Sequence, residues 1–403
     1  MLAAILAAHW PAYVAKFGRL IPEEQRAAVR AILRCRTPAL GGQRYRCGCG
    51  REHFAYHSCN HRACPRCGRA DAEAWLAQQR ARLLPVPYFL VTFTVPEQLR
   101  EPIRAARKPW YGALLKASAG ALQDLASQPK HLGAELGPTA LLQTWTRDLR
   151  YHPHVHLLVP GGGLTPNRLR WVRVAKPEFF LPQVKLAARF KGRIKAWLME
   201  HEPELYAQVP AKVWWRKWVA DIQPVGSGEA ALKYLAAYLC RPPLHESQVE
   251  RWDEQSVTFC YRENDGDQKS CTVSVFEFVR RFLQHVLPKG FQRVRHYGWR
   301  GAANTKYQVG AHPRLAGLEV SHAGQTRSRP RTPLSGLRQT HVPAGPAAAR
   351  ADGKAVAGES ISNRKSARVA RGWSGVARTW KNADGRLVRG APTVEKSQRE
   401  DGT

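Results

Sequence analysis

The chain has 403 residues, enough for two or more domains, and 63 lysines and arginines against 31 aspartates and glutamates give it a formal net charge of +32. Such a charge attracts polyanions, and nucleic acid is the first candidate, with an anionic membrane surface as the alternative. The sequence contains neither an apolar run of about twenty residues nor the basic start of a signal peptide, which argues against a membrane protein and against export.

Cysteines dominate the region that follows the first predicted helices. The spacing of Val29, Ile32 and Leu33 predicts a helix that ends near residue 34. Six of the nine cysteines then fall between Cys35 and Cys67. In a chain without an export signal, such clustering indicates metal binding in a reducing cytoplasm rather than a set of disulfides.

The cysteine spacing predicts a zinc site. Cys64-Pro-Arg-Cys67 can place two thiolates on a tetrahedral zinc ion, and Cys47 and Cys49 are the predicted opposite pair. The spacing of Cys47 and Cys49 is one residue tighter than usual, which leaves the ligand set, and even a second ion, open. Further candidate ligands are Cys59, Cys35, His57 and His61. So short a segment cannot bury a core by itself, so zinc would supply its folding energy.

A catalytic sheet is predicted downstream of the cysteines. The aromatic and β-branched run Tyr88–Val95, ended by a proline, predicts a central strand. Residues 97–128 read as helical, and Thr139–Trp145 predicts a second strand. Asp148-Leu-Arg then turns the chain into a third strand at Tyr151–Val159.

Three histidines alternate along that third strand. Alternation places His152, His154 and His156 on one face, where they could hold a metal ion or line a solvated face. The best paired segment contains His154 and His156, and two ligands leave a catalytic metal under-coordinated. Gln143, on the adjacent antiparallel strand, is the first candidate for a third ligand, although an ordinary strand residue is an equally good reading.

A helix with two tyrosines follows. The segment Ala231–Leu239 is rich in alanine and leucine, and Arg241-Pro-Pro ends it. Tyr234 and Tyr238 are i and i+4 neighbours on one face of this helix. Tyrosine pairs usually pack in cores or interfaces. Together with the histidines in so basic a chain, they suggest a metal that activates a phosphodiester and tyrosines that attack it.

Cations within and beyond these motifs, together with aromatic side chains, are the predicted DNA contacts. The run Trp214–Trp218 combines aromatic rings with cations, as in proteins that stack unpaired bases, although core packing explains it equally well. From about residue 320 the chain is rich in small and basic residues, which predicts a disordered tail with non-specific DNA affinity. The residues predicted to contact DNA are Arg62, Arg66, Trp214, Trp215, Arg241 and Arg295.

The ordered motifs resemble those of the HUH rolling-circle transposases of the IS91 family of bacterial insertion sequences. The similarity rests on His154-Val-His156, Tyr234-x-x-x-Tyr238 and Arg241-Pro-Pro, and it extends from about residue 35 to about residue 307. It implies an α+β fold with an antiparallel-sheet HUH catalytic domain and flanking helices. The predicted domains are a zinc-binding module at 1–80, the catalytic domain at 85–310 and a basic, disordered tail at 320–403.

The resemblance also implies the chemistry. Magnesium or manganese held by His154 and His156 would polarise a phosphate, and Tyr234 or Tyr238 would attack it to give a 5′-phosphotyrosine. The expected partners are single-stranded DNA at the ends of the element and target DNA, with no small-molecule substrate and no membrane. A replication initiator or relaxase would share this chemistry. Two further alternatives are an inactive zinc-dependent DNA-binding protein and a zinc hydrolase that makes no DNA adduct.

Overall fold

The computed structural model describes residues 1–46, 52–240, 243–262 and 266–301, followed by a few short strand segments. The chain divides into a larger unit, Met1–Gln43 with Phe54–Gln325 and Lys396–Thr403, and a smaller unit, Arg44–His53 with Thr326–Glu395. Most of the predicted tail lies outside the described ranges, so its disorder stays a prediction. None of the described helices is long and apolar enough to cross a lipid bilayer.

The described residues confirm the expected α+β fold. The helices are α1 (Leu2–Phe17), α2 (Glu23–Arg34), α3 (Arg69–Arg80), α4 (Arg100–Ala105), α5 (Arg107–Ala126), α6 (Gln183–His201), α7 (Pro203–Gln208), α8 (Ala211–Trp215), α9 (Glu229–Cys240) and α10 (Val275–Leu283). Short 3₁₀ turns lie at Gly18–Leu20, Pro38–Leu40, Glu97–Leu99, Glu246–Gln248 and Gly298–Arg300.

The strands are β1 (Gly42–Arg46), β2 (Glu52–Tyr56), β3 (Tyr88–Thr94), β4 (Thr139–Trp145), β5 (Tyr151–Pro160), β6 (Gly162–Leu164), β7 (Trp171–Arg173), β8 (Val219–Pro224), β9 (Val249–Trp252), β10 (Ser256–Arg262), β11 (Gln268–Ser274), β12 (Val294–His296), β13 (Val320–His322), β14 (Trp380–Lys381), β15 (Leu387–Val388) and β16 (Glu395–Lys396). The smaller unit contains the antiparallel pair of β14 and β15.

A five-stranded antiparallel sheet forms the centre of the larger unit, in the order β12-β4-β5-β3-β8. The strands predicted from residues 88, 139 and 151 onward are β3, β4 and β5. The single helix predicted over residues 97–128 is instead a 3₁₀ turn followed by α4 and α5, which meet at Ala106.

Helices α5 and α6 cover one face of this sheet. Alternate residues of β3 and β5 point toward them, and Phe93 on β3 lies with its ring 4.8 Å from that of Phe190 on α6. On α6 the apolar residues recur every fourth position, so that one stripe of the helix is buried. That stripe comprises Leu186, Phe190, Ile194 and Leu198.

Helix α9 packs on the opposite face. Leu232 and Leu235 of α9 contact Leu141 of β4 and Leu158 of β5 in a smaller apolar cluster. Helix α3 lies against α9 and adds Trp75 and Leu76 to the same cluster. The tyrosine helix is therefore held between the sheet and α3.

The N-terminal helices have no separate core. Ile5 of α1 and Val29 of α2 are buried together with Phe259 of β10 and Phe278 of α10. Cys35 and Cys64 belong to this same cluster. Residues from both sides of the predicted domain boundary near residue 80 thus build one apolar core, which contains the cysteines.

Candidate active site and zinc cluster

Two histidines lie side by side at the centre of the sheet. His154 and His156 on β5 are 9% and 6% exposed, and their ring centroids are 4.8 Å apart at an interplanar angle of 83°. They pair with Thr94 and Thr92 of β3. The intervening residue, Val155, packs on the face that α5 and α6 cover. The histidines therefore point to the opposite face, toward α9.

Hydrogen bonds set the orientation of both imidazoles. Nδ1 of His154 lies 2.7 Å from the carbonyl oxygen of His152, and Nδ1 of His156 lies 3.0 Å from Oγ1 of Thr92. When Nδ1–H donates to these oxygens, Nε2 carries the lone pair, and metal-binding histidines are commonly held in this way. Burial lowers the pKa of His154 to about 4 and that of His156 to about 3. Both rings are therefore neutral at pH 7, the form that binds metals.

Gln143 lies directly opposite His154 on β4, as the predicted hairpin requires. Its side chain is buried, and its Nε2 donates a 3.2 Å hydrogen bond to the carbonyl oxygen of Trp145. Its Oε1 is also buried, and no hydrogen-bond partner for that atom is found among the described residues. An unsatisfied buried oxygen costs about 1–3 kcal/mol, which a cation at this position would offset.

These donors fit a divalent cation. Two neutral imidazole nitrogens and one amide oxygen suit manganese and are acceptable to magnesium. Three protein ligands also leave coordination positions for phosphate oxygens.

Tyr234 lies over the histidine face. Its ring centroid is 5.9 Å from that of His156 at an interplanar angle of 87°, and the residue is 41% exposed. At the start of α9, Glu229 forms ion pairs with Arg80 of α3 at 3.1 Å and with Lys233 at 3.4 Å. The structure thus brings one predicted tyrosine to the predicted histidines. The Tyr238 side chain and Arg241 lie outside the described residues.

One acidic residue on the same face was missed by the sequence analysis. Asp221 on β8 pairs with Thr92, which in turn pairs with His156. The neighbours of Asp221, Ala220 and Ile222, pack on the face that α5 and α6 cover. Its carboxylate therefore points to the histidine side, where its Oδ2 accepts a 2.8 Å hydrogen bond from Nε2 of Gln223. The alternating run from residue 219 to residue 224 was the available signal, but we predicted no strand there.

Four cysteines form a cluster with the geometry of a metal site. The sulfur atoms of Cys35, Cys59, Cys64 and Cys67 all lie within 4.8 Å of one another. Cys67 Sγ is 3.4 Å from Cys35 Sγ and 3.7 Å from Cys59 Sγ. Four thiolates at such distances complete a tetrahedral zinc site. The cluster contains the predicted pair Cys64 and Cys67 together with Cys59 and Cys35, which were both alternative candidates.

The remaining zinc predictions concern other residues. Cys47 and Cys49 lie outside the described residues, so their role as ligands stays a prediction. Burial raises the pKa of the Cys64 thiol, and it raises that of Cys59 to about 11. The metal-free cluster would keep these protons at pH 7, and zinc would displace them on binding.

Two arginines predicted to contact DNA are engaged inside the protein. Arg62 donates hydrogen bonds to the carbonyl oxygens of Leu287, Pro288 and Phe291 at 2.6–3.1 Å. Arg66 pairs with Glu246 at 3.2 Å and also donates to the carbonyl oxygen of Cys35. Their guanidinium groups thus fasten the cysteine loop to the segments around it.

The other predicted DNA contacts are divided between packing and exposure. Trp214 packs on the main core with its ring stacked 5.8 Å from that of Trp218, whereas Trp215 is 81% exposed. Arg295 on β12 holds its guanidinium 5.3 Å from the ring centroid of Phe291. Trp215 is therefore the aromatic residue of this run that a base could reach.

The family models and the relatives that match this chain are transposases or transposase domains. Residues 137–307 match the family described as "Putative transposase", and residues 5–95 match the family described as "Transposase zinc-binding domain". The chain is 36% identical over 328 residues to "Putative transposase y4qJ" of Sinorhizobium fredii, covering 75% of this chain and 81% of that protein. It is 26% identical over 292 residues to the transposase for insertion sequence element IS801 of Pseudomonas savastanoi, covering 67% and 69%. No solved structure matches with significant similarity.

Proposed function

Because the chain belongs to the IS91 family of insertion-sequence transposases, we propose that it cleaves and rejoins single-stranded DNA through a 5′-phosphotyrosine intermediate. Membership of the family makes it a DNA-processing enzyme with a zinc-binding domain. The observation that carries the finer proposal is the ring contact of Tyr234 with His156, on the sheet face that also carries His154 and, at the position opposite it, Gln143 with an unsatisfied amide oxygen. The reaction would take place in the bacterial cytoplasm, where thiols stay reduced.

The proposed metal site consists of Nε2 of His154, Nε2 of His156 and Oε1 of Gln143. A bound Mg²⁺ or Mn²⁺ would supply Lewis-acid polarisation of the scissile phosphate. Donation from Nδ1 to the carbonyl oxygen of His152 and to Oγ1 of Thr92 would leave the lone pair of each ring on Nε2. The carbonyl oxygen of Trp145 accepts from Nε2 of Gln143, so Oε1 is the amide atom that could ligate a metal, at the strand position opposite His154.

The proposed nucleophile is the phenolic oxygen of Tyr234 or Tyr238. Attack on phosphorus forms a tyrosine–phosphate bond and breaks the bond to the 3′ oxygen, which leaves as a free hydroxyl. Covalent capture conserves the energy of the phosphodiester, so rejoining needs no ATP. A second tyrosine one helical turn away would allow a second transfer before the first is resolved.

Substrate binding is assigned to the exposed end of α8 and the start of β8. Trp215 projects into solvent beside the cations Arg216 and Lys217. Val219 is 56% exposed and pairs with Thr94, beside His154, on the histidine face. An exposed ring with adjacent cations is how sequence-tolerant proteins hold single strands.

Replacing Trp215 by alanine is expected to weaken binding of single-stranded DNA about tenfold, because stacking on one base contributes roughly 1–3 kcal/mol. Fluorescence anisotropy with a labelled oligonucleotide measures this loss. Trp215→Phe should restore most of the affinity. Leu20→Ala, which removes a side chain that is 82% exposed elsewhere, serves as the control. Equal affinities for Trp215→Ala and wild type would remove this residue from the DNA site.

A covalent adduct tests the proposed function. Purified protein incubated with manganese and single strands that carry the ends of the element should yield a protein–DNA adduct on a denaturing gel. The adduct should disappear with EDTA and in the double variant His154→Ala, His156→Ala. Salt-sensitive binding without any adduct would instead support an inactive DNA-binding protein. The zinc-binding domain favours a transposase over a replication initiator or relaxase of the same chemistry.

A further inference from the structure

An open groove lies on the side of the sheet away from the histidines. It has a volume of about 1050 Å³ and runs between α5, α6 and the edge strand β12. The histidines face α9, which carries Tyr234, whereas α5 and α6 cover the opposite face of the sheet. The residues proposed for cleavage contribute nothing to this groove.

The groove wall contains one glycine, Gly112, that close packing does not require. Gly112 is in the middle of α5, and a Cβ atom there would meet nothing within 4 Å. Glycine inside a helix costs about 0.5–1 kcal/mol relative to alanine. Gly120, on the same helix, is explained by packing, because its Cβ would lie 2.6 Å from the Arg193 guanidinium. Gly112 instead keeps the groove open toward solvent, next to Ala113 and Ala117.

The charged groups in the groove favour an anion. Lys116 is exposed one helical turn after Gly112, and Arg295 contributes a guanidinium from β12. Arg193 also lines the groove, held in place by two hydrogen bonds of 2.6 and 2.7 Å to Asp124. Glu200 is the acidic residue among those that line it. Lys116 and Arg295 therefore present positive charge to the groove from α5 and β12, while the charge of Arg193 on α6 is paired with Asp124.

Flat rings line the same groove. Trp197 on α6 stacks with His201, with ring centroids 5.3 Å apart and an interplanar angle of 18°. The buried Trp110 ring lies 4.9 Å from that of Trp197 in an edge-to-face contact, with an interplanar angle of 60°. A rigid pair of rings beside a row of cations is the combination that binds unpaired bases and their phosphates together.

Strand β12 separates this groove from the histidine face by the width of one strand. Arg295 pairs with Ala140, which packs on the face that α5 and α6 cover. Its neighbour His296 pairs with Thr139 on the histidine side, and Nδ1 of His296 lies 3.0 Å from Oγ1 of Thr139. His296 also lines the groove, so the groove and the histidine face adjoin at this edge strand.

We propose that this groove binds a second single strand of DNA, which is held there while the first strand is cleaved at Tyr234. The proposal rests on the proposed function, since joining one strand to another requires both on the same protein. The assignment gives the transposase a strand-transfer site distinct from its cleavage site.

Filling the groove tests the proposal. Gly112→Leu should fold normally, since its Cβ has open space and leucine is the better helix former. Gly192→Leu on α6 is the matched control, because a Cβ there also meets nothing within 4 Å but Gly192 does not line the groove. The probe is a fluorescent oligothymidylate, titrated against full-length protein that carries Tyr234→Phe and Tyr238→Phe to prevent cleavage.

We expect the control to bind two strands and Gly112→Leu to bind the second strand at least about tenfold more weakly. Lys116→Glu should have the same effect, whereas Lys185→Glu, an exposed lysine on α6 outside the groove, should not. Equal stoichiometry and affinity in Gly112→Leu and Gly192→Leu would overturn the proposal, as would a groove that binds duplex but no single strand.

A second measurement separates this proposal from the proposed function. With the tyrosines intact, Gly112→Leu should form as much covalent adduct as Gly192→Leu but much less of the joined product after a second oligonucleotide is added. If no adduct forms in wild type, the proposed function fails, and the oligothymidylate titration still decides whether the groove binds DNA. Normal joining in Gly112→Leu would overturn the groove assignment alone.

Discussion

Replacing Tyr234 and Tyr238 together by phenylalanine is expected to abolish the covalent protein–DNA adduct while leaving DNA affinity within a few fold of wild type. Phenylalanine keeps the ring that packs 5.9 Å from His156 but removes the oxygen that would attack phosphorus. Loss of a covalent nucleophile typically lowers rates by about 10⁴-fold or more. The adduct is measured on denaturing gels with manganese, and affinity by anisotropy.

The single variants separate the roles of the two tyrosines. The tyrosine that acts first should be required for any adduct, whereas loss of the other should spare the adduct and reduce joined products. Tyr206→Phe is a suitable control, since this tyrosine packs near Trp214 on the side of the sheet that α5 and α6 cover. Adduct formation by the double variant would place the nucleophile elsewhere in the chain.

The three central strands of the sheet, β3, β4 and β5, were predictable from sequence because side chains alternate between the two faces along each of them. The histidines and Val155 separate by side-chain parity alone, and the hairpin from β4 to β5 places Gln143 opposite His154 once the turn is recognised. The position of Tyr234 over His156 could not follow from parity. It depends on α9 packing through Leu232 and Leu235 onto the face that the histidines share.

The sequence analysis missed features that depend on contacts between distant segments. Asp221 joins the histidine face only because β8 pairs with β3, more than a hundred residues earlier in the chain. Arg62 lies in a basic segment and was therefore predicted to contact DNA. Its guanidinium instead donates hydrogen bonds to three carbonyl oxygens in the segment that follows α10. Cys35 ends α2 and joins the other thiols because α2 packs into the core they share. Motif spacing identifies ligands that are close together in sequence. It therefore gives little weight to a distant cysteine such as Cys35.

The zinc cluster is connected to the tyrosine helix through one short segment. Cys67 is followed by Gly68, whose φ of +83° turns the chain, and α3 begins at the next residue. Trp75 of α3 then packs in the same cluster as Leu232 of α9. A change at the cysteines should therefore reach the proposed nucleophile without any direct contact between the two sites.

Replacing Cys64 and Cys67 by serine is accordingly expected to release zinc, unfold the N-terminal module and abolish adduct formation. Structural zinc contributes about 10–16 kcal/mol in small zinc-binding peptides, comparable to the roughly 5–15 kcal/mol that stabilises a whole domain. Zinc content by atomic emission, the thermal midpoint and adduct yield should fall together. Cys260→Ser with Cys271→Ser is the matched control, because it removes two half-buried thiols outside the cluster. Unchanged zinc in the Cys64, Cys67 variant would contradict the assignment.

Single replacements decide the rest of the ligand set. Cys35→Ser should lose zinc as completely as Cys64→Ser, because the four clustered sulfur atoms already fill a tetrahedral site. Cys47→Ser and Cys49→Ser should then retain it. Loss of zinc in these two variants, with retention in Cys35→Ser, would restore the ligand pair first predicted from spacing. Loss of half the zinc in each group would instead indicate a second ion, which six cysteines between residues 35 and 67 are numerous enough to bind.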